Sequence, residues 1–327
     1  MKNTHQYSFV ADIIADPYGF TYDEIGRVLP EQDARSIYAL LYKNINGKVR
    51  DMQIKDIVKD FEANKYIFEL SDHKYIESVC IKRRTGTTVC VSTQVGCPVR
   101  CAFCESGKYG LIRNLGVSEI VRQVIYPNER INRIAFMGIG EPLLNYDALI
   151  KAIHILRDRN GLDFPTDGIA VSTAGVIKGL RRIREEHIKI QLVLSLHATT
   201  QEVRDYLMSG MRNNDIKETV KAALSYSQRH NRKLVIAYMP FADINDRHSD
   251  IKRLIEWLKD ENVMVNLIEY NQTTNRALKP TDKARLRRIQ ASLENGGIET
   301  MIRSSRGRNI KAACGQLAAK YNKIGDP

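Results

Sequence analysis

Cys97-Pro98-Val99-Arg100-Cys101-Ala102-Phe103-Cys104 places three thiols with three and then two residues between them. Cysteines so spaced wrap three corners of an iron–sulfur cube and leave the fourth iron without a protein ligand. An open iron binds a small chelating molecule and passes it an electron. Zinc is the competing reading, but a structural zinc takes four protein ligands, or three plus water with histidine among them. The loop holds no fourth cysteine or histidine, and His73 and His154 are distant in the chain. Zinc and chemically inert cysteines stand as the alternatives to a cluster.

Outward from this loop the chain alternates. Residues 89–91 read as a strand, then come the cysteine loop and a helix entered at Ser118, a capping type ahead of Glu119-Ile120-Val121. Further short strands, rich in Val, Ile and Leu, read at 133–137, 168–172, 190–196, 233–239 and 263–268. Helices at 146–157, 176–184, 201–208 with 216–230, 249–259 and 284–295 follow them in turn, and a last strand reads at 298–303. Six strand-then-helix units predict parallel α/β architecture, because parallel strands need helical crossovers. An open doubly wound sheet and a partial barrel both fit. In either, the ligand lies at the carboxyl ends of the strands, where the cysteine loop falls. Residues 1–70 read as a small helical N-terminal domain, with helical patterns at 22–28, 34–42 and 54–61, suited to packing or to RNA contact. Residues 71–327 form the core.

The chain of 327 residues is 43% hydrophobic and 27% charged, which is ordinary for a globular protein with a sizeable core. Its polar start, Met1-Lys2-Asn3-Thr4-His5-Gln6, leads into no signal-type apolar run, and no stretch approaches the ~18 apolar residues of a membrane span. The expectation is a cytoplasmic, monomeric chain with no membrane partner. Net charge is +12, from 50 Lys and Arg against 38 Asp and Glu, which favours anionic partners and nucleic acid first. Basic clusters occur at Lys82-Arg83-Arg84, at Arg181-Arg182, at Arg285 with Arg287 and Arg288, and along Arg303, Arg306, Arg308 and Lys311. Of six cysteines, Cys80 lies in an apolar context and reads as a small core residue. Cys90 and Cys314 are left over, and cysteines that are not structural disulfides point to metal or redox chemistry.

A Cys-x3-Cys-x2-Cys loop after the first strand of a six-unit α/β chain, with aromatic Phe103 before the last cysteine, resembles the radical S-adenosylmethionine (SAM) superfamily. The resemblance implies a (βα)6 partial TIM-type barrel. It also implies one 4Fe-4S cluster on Cys97, Cys101 and Cys104, with SAM chelated at the open iron and cleaved there to a 5′-deoxyadenosyl radical. Met137-Gly138-Ile139-Gly140-Glu141-Pro142 is the second match, and it implies that Gly140 and Glu141 meet the amino group of SAM. Four further stretches are similar to the RlmN/Cfr family of RNA methyltransferases. They are Cys90-Val91-Ser92-Thr93-Gln94-Val95-Gly96-Cys97, Ser172-Thr173, Ser195-Leu196-His197 and the tail Ile310-Lys311-Ala312-Ala313-Cys314-Gly315-Gln316-Leu317. With Asn271, the likeness implies SAM contacts at Ser172, Ser195, Leu196, His197 and Asn271. Read alone, the serines are equally strand-end hydroxyls, His197 a structural histidine, Asn271 a turn residue and Cys314 a small buried one. The chain departs from the family at Asn309 and Lys311, where acidic residues are usual, and at Leu207-Met208-Ser209-Gly210, which lacks the expected proline and asparagine.

The family likeness implies methylation of an adenine ring carbon, carbon 2 first and carbon 8 as the close variant, in ribosomal or transfer RNA. These carbons are electron-poor, so simple displacement on SAM does not reach them. By the resemblance, the Cys314 thiolate takes a methyl group from one SAM and a second SAM supplies the radical that activates it, two equivalents per turnover. Glu77, in Ile76-Glu77-Ser78-Val79, is implied as the base that removes the ring proton, and Cys90 as the thiol that releases the product by forming a disulfide with Cys314. A reductant such as flavodoxin or ferredoxin is implied, and the adenine must leave its stack. Two other readings stand beside this one: a radical SAM enzyme on another substrate, and a non-enzymatic basic RNA-binding protein with a structural metal site.

Overall fold

The computed structural model describes residues 2–43, 52–127, 129–318 and 322. Its elements in chain order begin with α1 (Lys2–Ala15), α2 (Tyr22–Gly26), α3 (Glu31–Lys43), β1 (Met52–Lys59), β2 (Ala63–Leu70), β3 (Tyr75–Arg83) and β4 (Gly86–Cys90). There follow β5 (Gln94–Gly96), β6 (Leu111–Asn114), α4 (Val117–Ile125), β7 (Ile131–Phe136), α5 (Tyr146–Arg157), β8 (Ile169–Thr173), α6 (Ile177–Glu185) and β9 (Gln191–Ser195). The chain continues through α7 (Gln201–Leu207), α8 (Ile216–His230), β10 (Leu234–Tyr238), α9 (His248–Leu258), β11 (Val263–Ile268), α10 (Lys283–Asn295) and β12 (Glu299–Arg303). One sheet runs in the order β1-β2-β3-β4-β7-β8-β9-β10-β11-β12, antiparallel from β1 to β4 and parallel from β4 to β12. The six expected strand–helix units are present, and the sheet is that of a partial barrel.

Period-two alternation divides the strand side chains between two cores. Leu192 and Leu194 of β9, Leu234, Ile236 and Tyr238 of β10, and Val263, Val265 and Leu267 of β11 join the large core under the helices. Val193, Val235, Ala237 and Ile268 join a second core with Cys97, Val99, Phe103, Met208 and Met239. The inward set therefore carries Ser195 and Asn266 to the same side as the cysteine loop. Burial on both faces explains why these strands read as nearly continuous apolar runs.

The first 70 residues differ from their reading. Helices α2 and α3 form, and α2 starts on a capping box in which Thr21 and Glu24 exchange hydrogen bonds. The stretch 54–61, read as helical, is instead β1, paired with β2 from Met52↔Leu70 to Lys59↔Asn64. Ile54, Ile57 and Val58 imitate a helical stripe, but the strand is an edge whose Ile54 and Ile57 stay partly in solvent. A boundary at residue 70 also passes between β2 and β3, which are bonded over seven residue pairs. The helical part docks on the outer surface of the barrel: Asp16 accepts from the buried Arg122 of α4 at 3.0 Å, and Lys151 of α5 donates to Glu24 at 2.8 Å. Helix α4 is capped by Gly116, whose N–H donates to Glu119 at 2.8 Å, rather than by Ser118, which lies in the first turn.

After β12 the chain crosses the gap between the two ends of the barrel wall. Arg306 donates to Glu62 at 3.3 Å, Asn309 to Asp60 at 3.4 Å, and Ala318 N–H to Glu77 at 3.1 Å. Ala312 and Leu317 pack on Ala63, Val79, Ile81, Cys90 and Ala135, making a third small core. This crossing carries Cys314 to the first strands.

Candidate active site

The cysteine loop does not follow β4 directly. It hangs from a two-stranded antiparallel ribbon, β5 against β6, whose end is tied by Cys97 N–H to Gly110 carbonyl at 2.9 Å. The far side of the loop is bonded to the second half of the barrel: Ala102 N–H to Leu207 carbonyl, and Gly210 N–H to Val99 carbonyl, each at 2.8 Å. Asn275 Nδ2 donates to Ala102 carbonyl at 2.9 Å. Arg100 takes a left-handed φ of 51°, and a Cβ on Gly107 would stand 2.7 Å from its Cα, so only glycine allows the loop to close.

Cys97, Cys101 and Cys104 line one wall of a single cavity. Burial pushes all three thiols up, Cys97 to about 12, and they act on one another: Cys104 on Cys97, and Cys104 and Cys97 on Cys101. Three sulfur donors on one wall, Cys97 buried and Cys101 and Cys104 half-buried, fit a thiolate-held iron–sulfur cluster.

The opposite walls hold most of the residues expected to meet a cofactor. Ser172 and Ser195 bring their hydroxyls to 3.1 Å of each other at the ends of β8 and β9. Gly140 lines the cavity at φ 111°, and a Cβ there would meet Gln94 and Thr93 at 2.8 Å. Glu141 is buried and already used: its carboxylate accepts from Thr173 Oγ1 at 2.7 Å, Ala174 N–H at 2.7 Å and Leu143 N–H at 3.0 Å. Burial pushes it above the usual carboxylate range against those bonds. His197, at φ 53°, accepts from Met239 N–H on Nδ1 at 3.1 Å and sets its ring edge-on to Phe103. Burial and then Arg204 hold it down to about 3, so it is a neutral imidazole with its proton on Nε2.

Two expected cofactor contacts lie elsewhere. Leu196 packs in the outer core and its side chain does not line the cavity, because the chain turns outward between Ser195 and His197. Asn271 is also absent from the lining; it donates to Cys314 carbonyl at 3.2 Å and accepts from Arg308 Nε at 2.8 Å, so it holds the cysteine segment. Residues without a motif complete the site. Asn266 lines the cavity, and its Oδ1 is buried with no protein partner. Arg204, wholly buried, donates to Leu196 carbonyl at 3.1 Å and to Ala174 carbonyl, and burial lowers it to about 10. Inward periodicity on β11 was the one signal for Asn266; Arg204 gave none.

Cys314 stands on the wall shared by this cavity and a smaller chamber that also contains Cys90. Cys314 is exposed and Cys90 is buried. Burial, and after it Cys314, pushes the Cys90 thiol up to about 12. Glu77 faces the same side of β3 as Val79 but lies outside the chamber, beside Lys65 Nζ at 3.6 Å and Ala318 N–H. Cys80 is buried in the outer core. No helix among the described residues is long and apolar enough to cross a membrane.

The radical SAM superfamily profile matches residues 91–258. A probable RNA methyltransferase of Rhodopseudomonas palustris is 48% identical over 78% of this chain and 71% of its own length. A probable dual-specificity RNA methyltransferase RlmN of Pseudothermotoga lettingae is 38% identical over 85% and 82% of the two chains. The crystal structure of a radical SAM methyltransferase from Sphaerobacter thermophilus superposes with a TM-score of 0.88 at 30% identity, covering 92% of this chain and 98% of that one. The chain thus belongs to the radical SAM superfamily and, within it, to the RlmN family of RNA methyltransferases, enzymes of a 4Fe-4S cluster and SAM.

Proposed function

We propose that this protein methylates a ring carbon of adenine, carbon 2 first and carbon 8 as the variant, in ribosomal or transfer RNA, with Cys314 as methyl carrier and Cys90 as resolving thiol. The observation that carries the reading is the position of Cys314 between the cluster-side cavity and the chamber of Cys90. When bound, the cluster and two equivalents of SAM supply the methyl group and the hydrogen-abstracting radical. Cys97, Cys101 and Cys104 hold the cluster. Ser172, Ser195, Asn266 and the Gly138–Gly140 backbone offer polar groups to SAM, while Glu141 braces that turn against β8.

Cys314, exposed at the junction, is free to act as a nucleophile and then to present its methyl to the substrate. Cys90 remains a protonated thiol at neutral pH, which keeps it from competing for the methyl group. Once the radical adduct has passed its odd electron to a one-electron carrier, Cys90 gives up its proton and attacks the Cys314 sulfur. The disulfide forms as the bond from sulfur to the transferred carbon breaks, and that electron pair stays on the carbon, which takes up a proton to complete the methyl group. An external reductant such as flavodoxin or ferredoxin restores the two thiols and reduces the cluster. Glu77 serves as base once Ala318, which occupies its carboxylate, has moved aside. Replacing Cys90 by alanine tests the scheme: an RNA–protein adduct through Cys314 is expected by mass spectrometry. Free methylated RNA at the wild-type rate, with no adduct, would refute it.

A further inference from the structure

The basic residues near Cys314 are not equivalent in three dimensions. Arg308 is paired with Glu269 at 2.6 Å and Arg306 with Glu62 at 3.3 Å. Arg83, at the end of β3, and Arg303, at the end of β12, come from strands seven places apart in the sheet and line the same chamber as Cys90 and Cys314. Neither has a carboxylate partner among the described residues; Arg303 meets only the sulfur of Met137, at 4.0 Å. Ser304 and Ser305 add hydroxyls to the same wall. Partial burial, then Arg303, Arg306 and Arg133, hold the Arg83 guanidinium below the usual arginine range, as expected where cations gather without a counter-charge. Two unneutralised guanidinium groups at the mouth of a chamber that ends on a nucleophilic cysteine are complementary to a dianionic or phosphodiester group.

We propose that Arg83 and Arg303 form a phosphate-binding pair that takes an RNA backbone phosphate beside the nucleotide entering the chamber. The pair forms only in the folded chain, because β3 and β12 are seven places apart in the sheet. It positions the nucleotide so that its base reaches Cys314; Arg306 and Arg308, already neutralised by Glu62 and Glu269, contribute less. This rests on the RNA reading above but is read out without methyl transfer.

The test is binding of a fluorescent single-stranded RNA oligonucleotide to the cluster-loaded protein across a potassium chloride series, without SAM. Each phosphate contact contributes roughly 0.7 to the slope of log K against log salt for single strands. R83A/R303A is expected to shrink the slope by about 1.4, R83K/R303K to restore most of it, and R306A to change it by less than half as much. A slope unchanged in R83A/R303A, or a change as large in R306A, overturns the proposal. So does an inorganic phosphate effect on wild type far beyond that of chloride at matched ionic strength, together with an RNA slope indifferent to the double variant. That pair of results would make the two arginines a free-anion site. Absence of methylated adenine from the wild-type reaction, with the slope effect intact, would instead strike the function, not the pair.

Discussion

Thr173→Val tests whether the Glu141 turn is held by the bonds that the structure assigns it. The replacement keeps the shape of the side chain and removes the hydroxyl that donates to Glu141 Oε1 at 2.7 Å and accepts from Gly175 N–H at 2.9 Å. A bond to a charged group contributes about 1.5–3 kcal/mol and a neutral one about 0.5–1.5, so the loss is about 2–4 kcal/mol. For a chain of this size that corresponds to roughly 3–6 °C in melting temperature. The loss also depends on pH. Burial raises Glu141 above its unfolded value, so its share of stability is present below that unfolded value and is lost as pH rises through the folded one. Removing a hydrogen bond that favours the carboxylate raises the folded value further, and the deficit of the variant therefore grows toward alkaline pH. Melting of wild type and variant, followed by fluorescence of Trp257, the single tryptophan, is the assay. It is run between about pH 5.5 and about pH 8.5. A melting difference larger at the acid end refutes the reasoning.

A Cβ on Gly210 would lie 2.2 Å from Pro98 carbonyl oxygen and 2.7 Å from Val99 Cα, so Gly210→Ala should push the cysteine loop off its seat and lower bound iron per chain; wild-type iron content would contradict this. With Cys90 pushed up to about 12, decay of the Cys314–RNA adduct in the wild type should quicken about tenfold per pH unit, without levelling near the ordinary thiol value of about 8.5. A plateau there would show that Cys90 titrates as a solvated thiol. Ser195→Ala removes one hydroxyl of the Ser172–Ser195 pair and should weaken SAM binding about threefold to tenfold by calorimetry, and unchanged affinity would remove Ser195 from the site. Glu77→Gln should let the adduct accumulate even with Cys90 present; turnover at the wild-type rate would assign the base elsewhere.

Local signals carried the reading where local physics decides. Residues 263–268 and 216–230 come out as β11 and α8 at both ends, because their apolar period is set by one neighbour sheet or one helix face. Residues 54–61 came out wrong for the same reason. Three apolar residues at Ile54, Ile57 and Val58 satisfy a helical stripe as well as an edge strand, and pairing with β2 settles the choice. The family likeness implies SAM contacts at Leu196 and Asn271, but Leu196 packs in the outer core and Asn271 bonds the Cys314 segment, a facing that similarity of motif does not specify.

By itself the sequence determined the alternation of strands and helices, the three-thiol loop and the basic balance, since each depends on residue type and short spacing. Only the tertiary structure decided that Glu77 faces Ala318, and that Arg83 and Arg303 share a chamber while Arg306 and Arg308 are neutralised. The physical reason is the curvature of the sheet. It leaves the first strands and β12 to be joined by the segment after β12, which juxtaposes residues no local period relates.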